Sequence, residues 1–156
     1  LFTAVEIAAT LGALVERCID HLNTRVQFGV ALATFQVLRH QAVQLYVQYE
    51  AASVMLARQV ADTVRSGQLR GRDAAVIKLY LNDLARRGAE AAIQLHGGMG
   101  MTTELPATRL AQRLIAAQFE HGERLALLDA LEAMEASTPR KPFAGASSRD
   151  AASLAA

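Results

Sequence analysis

The sequence lacks a set of cysteines that could cross-link the fold, a long apolar segment that could span a membrane, and the excess of positive charge that would attract nucleic acid. Cys18 is the single cysteine, which excludes an internal disulfide framework and a metal cage built from cysteines. No segment reaches the ~18 uninterrupted apolar residues that a transmembrane helix needs. Lys and Arg number 16 and Asp and Glu 15, so a net charge of +1 does not favour nucleic acid or an anionic membrane as a partner.

Tryptophan is absent, proline occurs only three times, and no segment alternates clearly between apolar and polar residues. The 156 residues are 52% hydrophobic, which is enough for one domain with a buried core. The chain begins with Leu1 and enters helical periodicity directly, without a signal peptide. We therefore expect a piece of a longer protein that is located in the cytoplasm.

Apolar residues recur at intervals of three and four, the spacing of amphipathic helices. A first helix is predicted over roughly residues 3–24, with a polar break at Asn23 to Gly29. The second runs from about Phe35 to Val64 and ends at Gly67, since glycine readily adopts the left-handed helix-stop conformation. The predicted core stripes are Val5, Ala8, Gly12, Val15, Ile19 and Leu22, then Phe35, Leu38, Ala42, Leu45, Tyr49, Ala52 and Leu56.

The second half of the chain continues the helical pattern. A third helix is predicted to end at Gly97 and Gly98, and Pro106 opens a fourth because proline suits a first helical turn. A break is expected at Gly122. The short connections predict an all-α antiparallel four-helix bundle over residues 1–136. Residues 137–156 mix Pro, Ser, Ala and Gly with charges and are predicted to be a disordered tail.

Metal and nucleophile chemistry find little support in the sequence. Cys18 and His21 form a lone pair of ligand types, and no Glu has a His three residues later, as a bundle di-iron site requires. We predict no metal site, with Cys18 a buried thiol and His21 on the helix surface. No Gly-x-Ser-x-Gly turn is present to expose a serine nucleophile.

Two connections between helices carry unusual residues. The stretch from Gln94 to Thr102 holds three glycines, which let backbone N–H groups approach a phosphate closely. The stretch Arg25-Val26-Gln27-Phe28-Gly29 places a guanidinium near an aromatic ring, which suits a planar anionic or aromatic group. Each also has a plainer interpretation: an ordinary connection for the first, and a solvated arginine with Phe28 in the core for the second.

Together these segments resemble the C-terminal helical domain of the acyl-CoA dehydrogenase flavoenzymes, over roughly Val5 to Leu131. The Gln-x-x-Gly-Gly-x-Gly run followed by Glu-x-Pro is the most specific feature. Three motifs carry the resemblance in the family's order and spacing: Thr24-Arg25-Val26-Gln27-Phe28-Gly29 with Leu32-Ala33-Thr34-Phe35-Gln36 and His40; Gln94-Leu95-His96-Gly97-Gly98-Met99-Gly100-Met101-Thr102; and Glu104-Leu105-Pro106 with Arg109.

The resemblance implies that this domain forms a subunit interface, in a homo- or hetero-oligomeric dimer or tetramer. It also implies contacts to FAD that is held mainly by a neighbouring subunit. Arg25 is expected to pair with the FAD diphosphate and Phe28 to pack near the adenine. The full set of cofactor contacts carried over by position is Arg25, Phe28, Gln36, Gln94, Gly97 and Gly98.

The family's reaction removes hydrogens from the α and β carbons of an acyl-CoA thioester: a carboxylate takes the α proton and the flavin accepts the β hydride. Many members place the catalytic Glu directly before a Gly-Thr pair. His121 stands at that position here, and Glu120 lies one residue early, ~100° around a helix. Three interpretations are open: Glu120 with a different backbone turn, a base just before Leu1 as in some branches, or a non-catalytic subunit of a heteromeric enzyme.

Two functions are therefore considered. The first is the FAD-contacting part of an acyl-CoA dehydrogenase, and the second is a helical assembly module without flavin. Straight-chain, branched, aromatic and steroid side-chain acyl groups all fit the family, and the departure at His121 suggests a specialised branch of bacterial lipid or steroid breakdown. The chain alone is expected to be inactive, because the family's middle β domain and first helical domain are absent from it.

Overall fold

The computed structural model describes residues 1–137, which are mostly helical. The long elements are α1 (Phe2–Thr24), α2 (Gln36–Ser66), α3 (Gly71–His96), α4 (Pro106–Ala117) and α5 (Arg124–Ala136). Short elements connect them: strands β1 (Val26–Gln27) and β2 (Val30–Ala31), and the 3-10 helices Leu32–Thr34 and Gly97–Met101. The predicted all-α bundle is confirmed.

Helix ends follow the local chemistry that the sequence indicated. Gly67 ends α2 in the left-handed conformation, with φ of 69°. Pro106 is the first residue of α4, where its missing N–H is not needed. The predicted break at Gly122 divides the last helix into α4 and α5, with φ of 56° at His121 and 116° at Gly122.

The core forms where α1 packs against α2, α3 and α4. Its most deeply buried side chains include Ile7, Leu11, Leu14, Leu81 and Leu114. The predicted stripe of α1 was partly wrong, because Val5 and Ile19 are 45% and 38% exposed. The apolar residues of α1 span more than one helix face, so periodicity alone could not fix which face packs inward.

Small residues let the helices approach closely, as expected for Gly12 and Gly88. A Cβ at Gly12 would lie 2.9 Å from the Tyr49 ring of α2, and one at Gly88 would lie 2.5 Å from Leu11 Cδ1. Both glycines therefore lie directly against side chains of a neighbouring helix.

The hairpin of β1 and β2 was not expected, since the sequence predicted no strands. The two strands pair antiparallel over two residues each, with Val26 opposite Ala31 and Gln27 opposite Val30. Phe28 and Gly29 form the turn, both with positive φ, as a tight two-residue hairpin requires. Strands of this length are too short to show a period-two pattern.

A buried polar pair on α3 organises the connection between α4 and α5. Lys78 Nζ donates to Asn82 Oδ1 and to the Ala117 carbonyl, the latter at 3.1 Å. Asn82 Nδ2 in turn donates to the Gln118 and Gly122 carbonyls at 3.1 and 3.2 Å. The pair thus provides donors for the Ala117 and Gln118 carbonyls at the end of α4 and for the Gly122 carbonyl in the connection to α5.

Replacing Asn82 with alanine is expected to lower the free energy of unfolding by about 2–3 kcal/mol, because two partly buried carbonyls and the buried Lys78 ammonium each lose a partner. Urea titration measures this loss. Gln41→Ala, which removes an exposed amide from α2, serves as the control and should change stability little. Equal stability of the two variants would contradict the assigned role of Asn82.

The predicted tail at residues 137–156 lies outside the described residues, apart from Ser137. Among the residues that are described, no helix combines the length and apolar character needed to cross a bilayer.

Candidate functional site

An open cavity of about 490 Å³ lies where α1 and α3 end, between the hairpin and the glycine-rich turn. It brings together Arg25 from the end of α1 and Gln94, Gly97 and Gly98 from the end of α3. The sequence assigned these four residues to one ligand, although two separate segments supply them. The remaining lining residues are His21, Gln27, Leu32, Leu38, Leu95, His96 and Met99.

Three glycines of the turn have three different environments. Gly97 has φ of 60° and ψ of −142°, a conformation that is essentially restricted to glycine. A Cβ at Gly100 would lie 2.5 Å from the Ile93 carbonyl oxygen, so no side chain fits there. Gly98 has neither constraint, since its φ is not positive and a Cβ would meet nothing within 4 Å. The described chain does not itself require glycine at 98, where bare backbone faces open space.

Arg25 is held by its backbone and is free at its side chain. Its N–H donates to the His21 carbonyl at 2.9 Å, and its carbonyl accepts from the Leu32 N–H at 2.9 Å. The side chain is exposed, and no carboxylate within residues 1–137 pairs with the guanidinium. An unpaired guanidinium at the edge of a cavity is suited to phosphate oxygens.

Phe28 and Gln36 lie near this region but not in the cavity lining. Phe28 occupies the hairpin tip with 90% of its surface exposed and φ of 53°, so it is not a core residue. Its ring meets Phe35 edge-on, with centroids 6.2 Å apart. Gln36 is the first residue of α2 and is exposed. Their assignments to adenine and to the cofactor remain predictions.

Two histidines in the lining were not assigned a role from the sequence. The rings of His21 and His96 stack with centroids 4.3 Å apart, so His21 is not simply on the helix surface. Burial, His96 and Arg25 lower the pKa of His21. The available signal was that each histidine lies in the last turn of its helix, at the ends that border the cavity.

Glu120 is engaged in a network of charges. Arg113 Nη1 lies 2.6 Å from Glu120 Oε1, and Arg113 Nε donates to Glu6 Oε1 at 2.6 Å. The hydrogen bond from Arg113 lowers the pKa of the Glu120 carboxyl. A lowered pKa makes this carboxylate a weaker proton acceptor, so the arrangement argues against Glu120 as a catalytic base.

The exposed side chain of His121 helps to line a second cavity, of about 350 Å³, at the beginning of α1. Its Nδ1 shares a hydrogen bond with Thr3 Oγ1 at 2.9 Å. Leu1, Phe2 and Lys78 line the same cavity, and Glu120 is not among its lining residues in the described chain. The start of α1 and the turn between α4 and α5 therefore meet at one place.

Cys18 is buried in the core, and burial raises the pKa of its thiol to about 12. This agrees with the predicted buried thiol and makes Cys18 a poor nucleophile. In residues 1–137, no three His, Cys, Asp or Glu side chains cluster closely enough to hold a metal ion.

α2 exposes many large apolar side chains, with polar residues between them. Only Ala42, Leu45, Ala52 and Leu56 of this 31-residue helix are buried. Its large exposed apolar side chains are Val37, Val43, Tyr46, Val47, Val54, Met55, Val60 and Val64. A long helix with so many exposed apolar side chains is typical of an interaction surface.

Comparisons with known proteins agree in fold and family. The family model "Acyl-CoA dehydrogenase, C-terminal domain" matches residues 1–125. The probable acyl-CoA dehydrogenase FadE25 of Mycobacterium tuberculosis is 29% identical over 119 residues, covering 76% of this chain and 30% of that protein.

Solved structures show the same fold. Butyryl-CoA dehydrogenase from Megasphaera elsdenii aligns with a TM-score of 0.78 and 25% identity, covering 86% of this chain and 35% of that one. The FAD complex of PigA aligns with a TM-score of 0.74 and 24% identity, covering 85% and 34%. The chain thus spans about a third of the length of the proteins it matches.

Proposed function

Because this chain belongs to the acyl-CoA dehydrogenase family, whose C-terminal domain it matches over residues 1–125, we propose that it is the FAD-contacting part of an enzyme that oxidises an acyl-CoA thioester. The observation that carries the proposal is the cavity shared by Arg25, Gln94, Gly97 and Gly98. The Arg25 guanidinium and the uncovered backbone at Gly97 and Gly98 line the same cavity, although they come from two separate segments. A diphosphate is bound well by such a combination of a cation and backbone N–H groups.

The donor set fits a dinucleotide. Arg25 presents a planar guanidinium that can bind two phosphate oxygens at once. Gln94 offers an amide for a ribose hydroxyl, and Gly98 leaves space for the diphosphate to approach the backbone. When bound, FAD supplies the acceptor for the hydride of the substrate β carbon. We expect Phe28, at the exposed hairpin tip, to cover the adenine.

The rest of the flavin site is proposed to come from a neighbouring subunit and from other domains. The many exposed apolar side chains of α2 support an oligomer, since an interface would cover them. A homo- or hetero-oligomer satisfies this equally, as a dimer or as a tetramer. The assembly is proposed to act in the cytoplasm, in lipid metabolism.

The acyl end of the substrate is assigned to the cavity beside His121. Leu1 and Phe2 line this cavity, so a carboxylate within one turn before Leu1 would reach it. We propose that the catalytic base comes from the turn before Leu1, because Glu120 is already bound by Arg113. The protein sequence encoded directly before Leu1 tests this assignment. A Glu in the preceding helical turn would support it, and the absence of a Glu there would favour a non-catalytic subunit.

A second function, a helical assembly module without chemistry, is favoured by one specific observation. The position where many relatives carry the catalytic Glu holds His121, and its neighbour Glu120 is ion-paired. In that case the exposed apolar side chains of α2 would support a heteromeric complex whose partner subunit carries out the oxidation.

The colour of the purified protein separates the two functions. The complete protein, purified with any subunit that binds it, is expected to show flavin absorbance or to gain it on incubation with FAD. A colourless assembly that cannot be reconstituted with FAD would support the assembly module and reject the flavoenzyme proposal.

Residues 1–156 alone are expected to show no acyl-CoA oxidation. The chain spans about a third of its relatives, and the described cavities are open, so the flavin ring and the reacting carbons are not enclosed. An assay with a range of acyl-CoA thioesters and an artificial electron acceptor measures this. Turnover above the rate without protein would refute the proposed division of the site.

A further inference from the structure

A pair of stacked histidines lies beside the proposed diphosphate position. His21 is in the last turn of α1, His96 is the last residue of α3, and their ring planes are inclined by 32° at a centroid distance of 4.3 Å. Of the described residues that line this cavity, only His21, His96 and Arg25 can carry charge. The site's response to pH therefore depends on the two imidazoles.

Because α1 and α3 both point their C-terminal ends at the cavity, a bound anion needs positive charge nearby. Both α1 and α3 present their C-terminal ends to the cavity, and the carbonyl end of a helix carries a partial negative charge. A diphosphate at this place is repelled by both ends. It is bound more tightly if positive charge is present in addition to Arg25.

The two rings are held differently. The Ala92 carbonyl can only accept a hydrogen bond, so His96 Nδ1 donates to it at 2.8 Å, which fixes a ring that is 8% exposed. His21 is half-buried, and its ring makes no hydrogen bond to any other residue of the described chain. The ring nitrogens of His21 are therefore available to a ligand.

The surroundings of His21 disfavour the protonated form of its ring when no anion is present. Burial, His96 on α3 and Arg25 at the end of α1 all lower its pKa. The hairpin, the following 3-10 helix and α2 contribute Gln27, Leu32 and Leu38 to the cavity, and none of these carries charge. An entering diphosphate brings the negative charge that reverses this preference.

We propose that His21 is a proton-linked binding residue of the diphosphate site: its imidazole takes up a proton when a dinucleotide binds, while His96 holds the ring in place by stacking. The inference rests on the proposed function for the identity of the ligand. Its consequence is that affinity falls as pH rises between the pKa of His21 in the free protein and its higher pKa in the complex.

The test is the dissociation constant of FAD for the complete, assembled apoprotein from about pH 6 to about pH 8. The diphosphate of FAD does not titrate in this range. The wild-type constant should rise by roughly threefold to tenfold over the interval, within the limit of about tenfold per pH unit for one proton. Calorimetry in buffers of different ionisation enthalpy should show net proton uptake on binding.

Matched variants test whether His21 is the residue that takes up the proton. His21→Phe keeps a ring for stacking but cannot be protonated, so its FAD affinity should be weaker at low pH and nearly independent of pH. His21→Gln serves as a second variant if the first does not fold. Arg65→Ala, which removes an exposed charge from the last turn of α2, outside the cavity, should keep the wild-type slope.

Two results would overturn the inference. They are a wild-type affinity for FAD that is flat with pH, and a wild-type slope that is retained in both His21 variants. If FAD binds without the predicted slope, the proposed function stands and only the role of His21 fails. If no FAD binds at any pH, the proposed function fails and this inference fails with it.

Discussion

Arg25→Ala is expected to weaken FAD affinity by roughly tenfold to a hundredfold in the assembled protein, because a charge-assisted hydrogen bond contributes about 1.5–3 kcal/mol. The side chain is exposed, and no carboxylate among the described residues pairs with it, so its loss should leave the helices intact. Flavin absorbance per mole of protein after gel filtration, and titration of the apoprotein with FAD, measure the effect.

Two further variants distinguish the effects of the charge and shape of the Arg25 side chain from a general loss of structure. Arg25→Lys keeps the positive charge but loses the planar fork, so its affinity should lie between the wild type and Arg25→Ala. Arg17→Ala removes another exposed arginine of α1, one that does not line the cavity, and should retain full flavin content. Unchanged flavin content in Arg25→Ala would remove Arg25 from the cofactor site.

Gly98→Ala and Gly100→Ala each add one methyl group to the same turn, but we expect one to weaken FAD binding and the other to weaken folding. A Cβ at position 98 meets nothing in the chain, so Gly98→Ala should fold normally and lose roughly tenfold or more in FAD affinity, because the methyl group enters the space assigned to the diphosphate. Thermal unfolding and FAD titration of the same sample measure both quantities.

Gly100→Ala should instead reduce stability, by about 1–3 kcal/mol, since its Cβ would be forced against the Ile93 backbone. These two results would distinguish Gly98, where a side chain would block the ligand, from Gly100, where a side chain would disrupt the packing of the turn. If Gly98→Ala binds FAD as tightly as the wild type, the open space at Gly98 is not where the diphosphate lies.

The helical framework was largely predictable because its signals are local. Gly67 and Pro106 ended and began helices where the sequence indicated, and the break at Gly122 divided α4 from α5. The face that α1 buries was less predictable. Alanines and larger apolar residues lie on several sides of this helix, and only the positions of its neighbours decide that Ile19 stays partly exposed.

The candidate site was only partly accessible from the sequence. The motif resemblance identified Arg25 and the glycine-rich turn, and the fold places them around one cavity. The His21 and His96 stack could not be deduced from spacing, because it depends on two helix ends that meet only in the folded chain. Likewise, the ion pairs of Glu120 arise from Arg113 on α4 and involve Glu6 on α1, a relation that the sequence motif does not contain.

The structure of the complete assembly with FAD bound provides the most direct measurement. The diphosphate should lie within hydrogen-bonding distance of the Arg25 guanidinium and the Gly98 backbone of one subunit, while the flavin ring is enclosed mainly by its neighbour. A structure with FAD in which Arg25 faces solvent, or in which the diphosphate lies away from the turn at 97–98, would contradict the proposed cofactor role of this domain.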